Sequence, residues 1–126
     1  MRKLEALSDS IIAYNGSNDP MSPLYKGRNP GGLKAFAEKH SKDAAGNRTF
    51  KTWLDGYQAL LFDLKVKCGG KSHNKRLTPE SNLGALATSL YMPESTGPYM
   101  AKFLKKALDD ESITKDTAIG TFMEVE

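Results

Sequence analysis

Five carboxylates stand where a proton-transfer or sugar-cleaving site could recruit them. Glu5 and Asp9 lie in the first apolar-periodic segment, Asp19 in the loop after it, and Glu38 and Asp63 further along. Glycoside hydrolysis needs a carboxylic acid that protonates the leaving oxygen, usually one whose pKa is raised by a partly apolar setting. Taken singly, each of the first four reads as a solvated surface charge, and Asp63 as a residue on a helix face. Trp53 and Tyr57, one helical turn apart, offer aromatic faces of the kind that stack on pyranose rings, but they also fall on an apolar stripe and read equally as core. His40 and His73 are isolated, and no Cys/His grouping has metal-ligand spacing, so no metal and no cofactor is expected. Cys68 and His73 could form a nucleophile pair. Cys68 continues the apolar stripe, however, and a buried thiol is inert. Gly69-Gly70-Lys71-Ser72 has the ending of a phosphate loop without its upstream Gly or preceding strand, and reads as a helix stop.

Lys65, Lys67, Lys71, Lys75 and Arg76 fall within twelve positions, with His73 among them. They read as a solvated helix end, or as a patch for an anionic polymer. The whole chain carries 18 basic and 15 acidic residues, a net charge of +3, below what a dedicated nucleic-acid binder shows. A small nucleic-acid-binding helical protein would rest on that cluster alone. With 126 residues, 39% apolar and 26% charged, the composition is that of one soluble domain with one core. No apolar run approaches the roughly 20 residues that cross a bilayer. Glu5 and the polar Ser8-Asp9-Ser10 interrupt any secretory apolar segment, so no signal peptide is expected. The single Cys68 cannot form an internal disulfide, which points to a reducing compartment or to a protein released by lysis.

The elements that would position these groups are mainly helical. Leu4, Leu7, Ile11 and Ile12 predict a helix over 3–14, stopped by Asn15-Gly16. Residues 15–32 hold three Pro, four Gly and three Asn and read as a loop. Leu33 to His40 reads as a short helix or a strand. Ala45-Gly46-Asn47 is a hairpin-like turn, and Thr49 to Trp53 alternates like a short strand. Trp53, Tyr57, Leu60, Leu61, Leu64 and Cys68 form one apolar helix stripe ending at Gly69-Gly70, a helix over 54–68. Thr78-Pro79-Glu80-Ser81 reads as the start of a helix over 82–91, capped by Thr or Ser, burying Leu83, Leu86, Ala87 and Leu90 and ended by Pro93. Thr96-Gly97-Pro98 opens a helix over 98–108 whose buried face is Tyr99, Phe103, Leu104 and Ala107. A last helix over 115–123 buries Ile119, Phe122 and Met123. The expected core is Leu7, Ile11, Leu60, Leu64, Leu86, Leu90, Phe103 and Leu104.

Tyr14-Asn15-Gly16, followed by Lys26-Gly27-Arg28-Asn29-Pro30-Gly31-Gly32-Leu33, resembles the opening of small phage and prophage lysozyme-like domains. There a helix ending in an acidic residue and Gly precedes a loop close to Arg-Asn-Asn-Asn-Pro-Gly-Asn-Leu. The resemblance continues through Gly56-Tyr57-Gln58-Ala59-Leu60-Leu61-Phe62-Asp63-Leu64, then Gly70-Lys71-Ser72, Ser81-Asn82-Leu83, Met92-Pro93 and Pro98-Tyr99, roughly residues 3–123. It implies a mainly α, lysozyme-like single domain with at most a small β-hairpin. The implied partners are peptidoglycan glycan strands or other virion proteins, with no membrane and no nucleic acid. The implied location is a virion, or the host cytoplasm before lysis. The family's acid corresponds to Asn15, and Gly27 and Gly32 each stand for an Asn of the loop. An amide cannot donate a proton as an acid does. Two functions follow: a non-catalytic virion component or peptidoglycan-binding module, or a muramidase or lytic transglycosylase whose acid lies elsewhere or was engineered out. The candidate catalytic positions are Asn15 and Asp19. The candidate substrate-binding residues are Tyr25, Arg28, Asn29, Trp53 and Tyr57.

Overall fold

In the computed structural model, which describes residues 2–73 and 76–124, about half of the chain is helical and strands are nearly absent. The first helix, α1 (Arg2–Asn15), buries Leu4, Leu7 and Ile11 on one face. Ser8 and Ser10 are buried beside them and donate their hydroxyls to the carbonyls of Leu4 (3.1 Å) and Leu7 (2.7 Å). The helix stops where expected, and Gly16 takes a left-handed φ of 78°.

A short helix absent from the sequence reading, α2 (Pro23–Lys26), follows inside the breaker-rich loop. Ser22 caps it by accepting from the Leu24 N–H (3.1 Å), and Pro23 fits its first turn. Residues 33–48 make neither a helix nor a ladder. Two isolated antiparallel bridges, Lys34 with Asn47 and Lys42 with Arg48, hold a loose hairpin. The Asp43 carboxylate organises its turn, accepting from the Ala45 (2.9 Å) and Asn47 (3.0 Å) N–H groups. The alternating stretch at 49–53 does not form a strand. Its N–H groups go to single loop carbonyls instead, Thr49 to Ser41 and Phe50 to Gly27, each 2.9 Å.

The long helix α3 (Trp53–Cys68) starts at a Thr52 cap whose hydroxyl accepts from the Asp55 N–H at 3.1 Å. Its stripe packs as read: Leu60, Leu64 and Cys68 are buried, with Leu61 partly so. The 28–31 loop lies directly on this helix at Gly56, where a Cβ would collide with the Arg28 carbonyl and come within 2.7 Å of Pro30. Glycine at this position is therefore a packing requirement.

Helix α4 (Leu83–Ser89) is shorter than expected and is capped by Asn82, whose side chain accepts from the Ala85 N–H (2.9 Å). Thr78 and Ser81 close a separate turn upstream through Thr78 N–H to Ser81 Oγ (2.9 Å). After a single 3₁₀ turn at Glu94–Thr96, α5 (Gly97–Ala107) buries Gly97, Met100, Ala101 and Leu104. Tyr99 and Ala107 are exposed and Phe103 is half-buried, so the buried face is rotated from the one the aromatics suggested. The last expected helix is only a 3₁₀ turn, Ile119–Met123, tied down by Ile119 N–H to Ser81 O (2.9 Å) and Gly120 N–H to Pro79 O (2.8 Å). It still buries Ile119 and Phe122. Helix α1 packs on α5, α3 and this last turn, and α4 packs on α5. No helix among the described residues is long and apolar enough to cross a membrane.

Candidate functional site

Two adjoining concavities form a groove between the loose hairpin on one side and α3 and the end of α4 on the other. The larger, about 750 Å³, runs past Phe36, His40, Arg48, Phe62, Asp63 and Lys67. The smaller, about 300 Å³, is lined by Tyr14, Asn15, Asn47, Tyr91 and Met92 among others. They share Gly32, Lys34, Leu90 and Tyr91. At this junction the Lys34 ammonium lies over the Tyr91 ring, 5.2 Å from its centroid, and donates to the Asn47 side-chain Oδ1 at 2.8 Å.

Tyr91 reaches this place through the end of α4. The Met92 N–H bonds the Ala87 carbonyl (2.9 Å) and the Tyr91 N–H bonds the Thr88 carbonyl (3.1 Å). That pattern demands a left-handed residue, usually Gly, and Tyr91 fills it at φ 63° with 64% of its surface exposed. A bulky residue in that region costs on the order of 1–2 kcal/mol, so packing elsewhere must hold it there. Phe62 and Phe36 are 70% and 82% exposed and Tyr14 42%, so with Tyr91 the groove carries four accessible aromatic rings.

Asn15 lines the groove at the end of α1. Its amide donates to the Pro30 carbonyl at 2.6 Å and its oxygen accepts from the Ser17 N–H at 2.9 Å, tying the helix end to the 29–32 loop. Asp63, the only carboxylate among the groove's described lining residues, makes a 2.7 Å ion pair with Lys67 one turn on. Burial, with Arg48 and Lys39 nearby, holds the His40 imidazole below its ordinary pKa.

The other sequence-derived candidates are dispersed. Asp19 is exposed and its carboxylate accepts from the Met21 N–H (2.9 Å), closing a local turn. Asn29 is fully buried and its side chain makes three backbone hydrogen bonds, so it braces the loop from within and offers no surface to a substrate. Tyr57 faces α1, donating to Asp9 at 3.1 Å; burial and then the Asp9 charge push its phenol up to about 12. Tyr25, Arg28 and Trp53 do come together, but in a separate hollow with Pro20 and Lys26. Cys68 is 1% exposed, and burial pushes its thiol up to about 12, which leaves it in the core. Lys67 of the basic cluster is ion-paired, Lys65 is exposed, and Lys75 lies outside the described residues. Among the described residues no group of three or more His, Cys, Asp or Glu is placed to hold a metal ion.

The sequence reading missed Lys34, Phe36, Asn47, Phe62 and Tyr91. Phe62 left one signal: it is a large apolar residue out of phase with the α3 stripe. No protein-family model, curated protein or solved structure matches this chain.

Proposed function

We propose that this chain is a lysozyme-like domain that holds a peptidoglycan strand in the Asn15–Asp63 groove without cleaving it, as a virion component or wall-binding module. The observation that carries this reading is the chemistry of the groove lining. Exposed aromatic rings, amides and cations suit a sugar chain bearing carboxylates, and the one carboxylate present is ion-paired to Lys67. General acid catalysis needs a carboxyl group free to present its oxygen to the leaving group, and the Asp63 carboxylate is instead engaged by the Lys67 ammonium at 2.7 Å.

The test is sedimentation with insoluble peptidoglycan, paired with turbidity of the same suspension. The unaltered protein is expected to co-sediment and leave the turbidity unchanged, and Tyr91→Ala and Phe62→Ala to release it. The Asn15→Glu variant restores a carboxyl group at the end of α1. Clearing by that variant alone would mean a cleavage site disabled at one position. Clearing by the unaltered protein would overturn the reading, and Asp63→Asn would then identify the acid. Absence of co-sedimentation would also overturn it.

A further inference from the structure

We infer that the hollow formed by Tyr25, Trp53, Lys26 and Arg28 is a second binding site, for a saccharide that carries a carboxylate. It holds about 520 Å³, within the range of small-molecule sites, and shares no lining residue with the groove. Helix α2 separates the two: Pro23 and Leu24 face the groove, Tyr25 and Lys26 the hollow. The inference therefore stands independently of the function proposed for the groove.

The rings of Tyr25 and Trp53 lie 6.1 Å apart at 49°, touching each other and forming an angled two-ring surface. A flat base cannot slip between rings already in contact. The C–H face of a puckered pyranose can lie across both. The charge is one-sided: Lys26 and Arg28 line the hollow, no carboxylate does, and among the described residues neither cation makes an ion pair or side-chain hydrogen bond. Their donors remain available for an anion, and Arg presents the planar fork that matches a carboxylate.

Arg28 is also held in place at some cost. The end of α2 repeats the pattern at the end of α4. The Asn29 N–H bonds the Leu24 carbonyl (2.9 Å) and the Arg28 N–H bonds the Tyr25 carbonyl (3.0 Å). The residue that must turn left-handed is Arg28, at φ 53°, although Gly27 stands beside it.

Trp53 is the only tryptophan, so its fluorescence reports on this hollow directly. The full chain would be titrated with N-acetylmuramic acid, with N-acetylglucosamine as the ring without the carboxylate, with lactate as the carboxylate without the ring, and with adenosine monophosphate. Calorimetry would run in parallel. Saturable binding of N-acetylmuramic acid is expected, weakened by salt and at least about tenfold tighter than that of any other probe, since it alone combines both contacts. Arg28→Gly, which suits the left-handed backbone, should weaken it by about tenfold or more while the unfolding midpoint is kept or raised. Tyr25→Ala should weaken it by a similar factor. Equal binding of N-acetylglucosamine, tighter binding of the nucleotide, undiminished binding by Arg28→Gly, or no saturable signal by either method would each overturn the assignment.

Discussion

Replacing Asn29 tests whether the loop it braces is held from inside. Its amide donates to the carbonyls of Leu33 (2.9 Å) and Arg48 (3.0 Å) and accepts from the Leu33 N–H (3.0 Å), with none of its surface exposed. In Asn29→Ala the Leu33 carbonyl keeps the Arg48 N–H (2.9 Å), but the Arg48 carbonyl and the Leu33 N–H lose the bonds described. The buried Leu33 N–H left unpaired costs about 1–3 kcal/mol and the part-buried Arg48 carbonyl less, so the expected loss is about 2–4 kcal/mol, a large share of a typical domain's stability. Asn29→Asp keeps the shape and the Leu33 N–H bond but turns carboxylate oxygens toward two carbonyls. The folded state then disfavours the ionised form and raises that carboxyl's pKa above its unfolded value near 3.9. For a raised pKa, the penalty against wild type should be smallest below the unfolded value, grow as pH rises through the folded value, and then level off. Urea unfolding followed by Trp53 fluorescence at pH 4 and pH 7 measures both effects. A loss under about 1 kcal/mol for Asn29→Ala, or a pH-independent penalty for Asn29→Asp, would refute the internal-brace argument and reopen Asn29 as a contact residue.

Leu64→Ala removes a fully buried side chain from the α3 stripe and should cost about 2–5 kcal/mol in the same titration. Gly56→Ala would ordinarily favour a helix by up to about 1 kcal/mol; here the Arg28 carbonyl obstructs the new methyl, and a net loss of about 1–3 kcal/mol is expected from chemical denaturation. Cys68, with its thiol pushed up to about 12, should resist a thiol reagent at pH 8 until urea unfolds the chain, and fast native labelling would contradict its place in the core. Asn15→Asp sets a carboxyl oxygen against the Pro30 carbonyl, 2.6 Å from the present amide nitrogen, so its carboxyl pKa should rise in the folded state; the variant should be closest to wild type at low pH and fall behind as pH rises, measured by thermal unfolding at pH 4 and 7.

The helices were legible wherever apolar spacing and caps agreed. For α1 and α3, Leu4, Leu7, Ile11, Leu60 and Leu64 mark the buried face, and Asn15-Gly16 and Gly69-Gly70 the ends. On α5 the aromatics misled. Tyr99 and Phe103 attract the eye, but Met100, Ala101 and Leu104 share the phase that faces α1 and α4, and Tyr99 instead stacks at the surface 5.9 Å from Tyr14. The 115–123 segment lacks the intrahelical bonds of a full helix because Ile119 and Gly120 donate to the 79–81 turn, a partner 38 or more residues away that no local pattern reveals. Of the site, Asn15 was singled out by the resemblance, as the residue that ends α1. Tyr25, Arg28 and Trp53 were found as types, but that they share a hollow apart from Asn15 was not legible, since the helix that divides the two concavities is four residues long and embedded among breakers. Lys34 and Tyr91 meet only through the long-range closure of the hairpin onto α4.

Three helix ends turn left-handed on a residue other than Gly. A Schellman-type end is cheapest with Gly, yet Arg28 after α2, Tyr91 after α4 and Asp109 after α5 all hold the turning position. Each costs on the order of 1 kcal/mol relative to Gly, and two of the three put a large side chain beside a concavity: Arg28 at the hollow, Tyr91 at the junction of the groove. Asp109 lines neither the groove nor the hollow, so the left-handed end is a recurring way of closing helices in this fold; what distinguishes Arg28 and Tyr91 is where their side chains go, an exposed ring and a guanidinium without an ion pair or side-chain hydrogen bond among the described residues. Asn15 points the other way. Its amide satisfies the Pro30 carbonyl at neutral pH without borrowing a proton, which an ionised carboxylate could not do. At one position the fold gains a stable hydrogen bond where an acid would be strained, while at two others it accepts strain to present a guanidinium and a phenol. The end of α1 is thus closed by a hydrogen-bonded amide, while the ends of α2 and α4 carry side chains that reach the concavities.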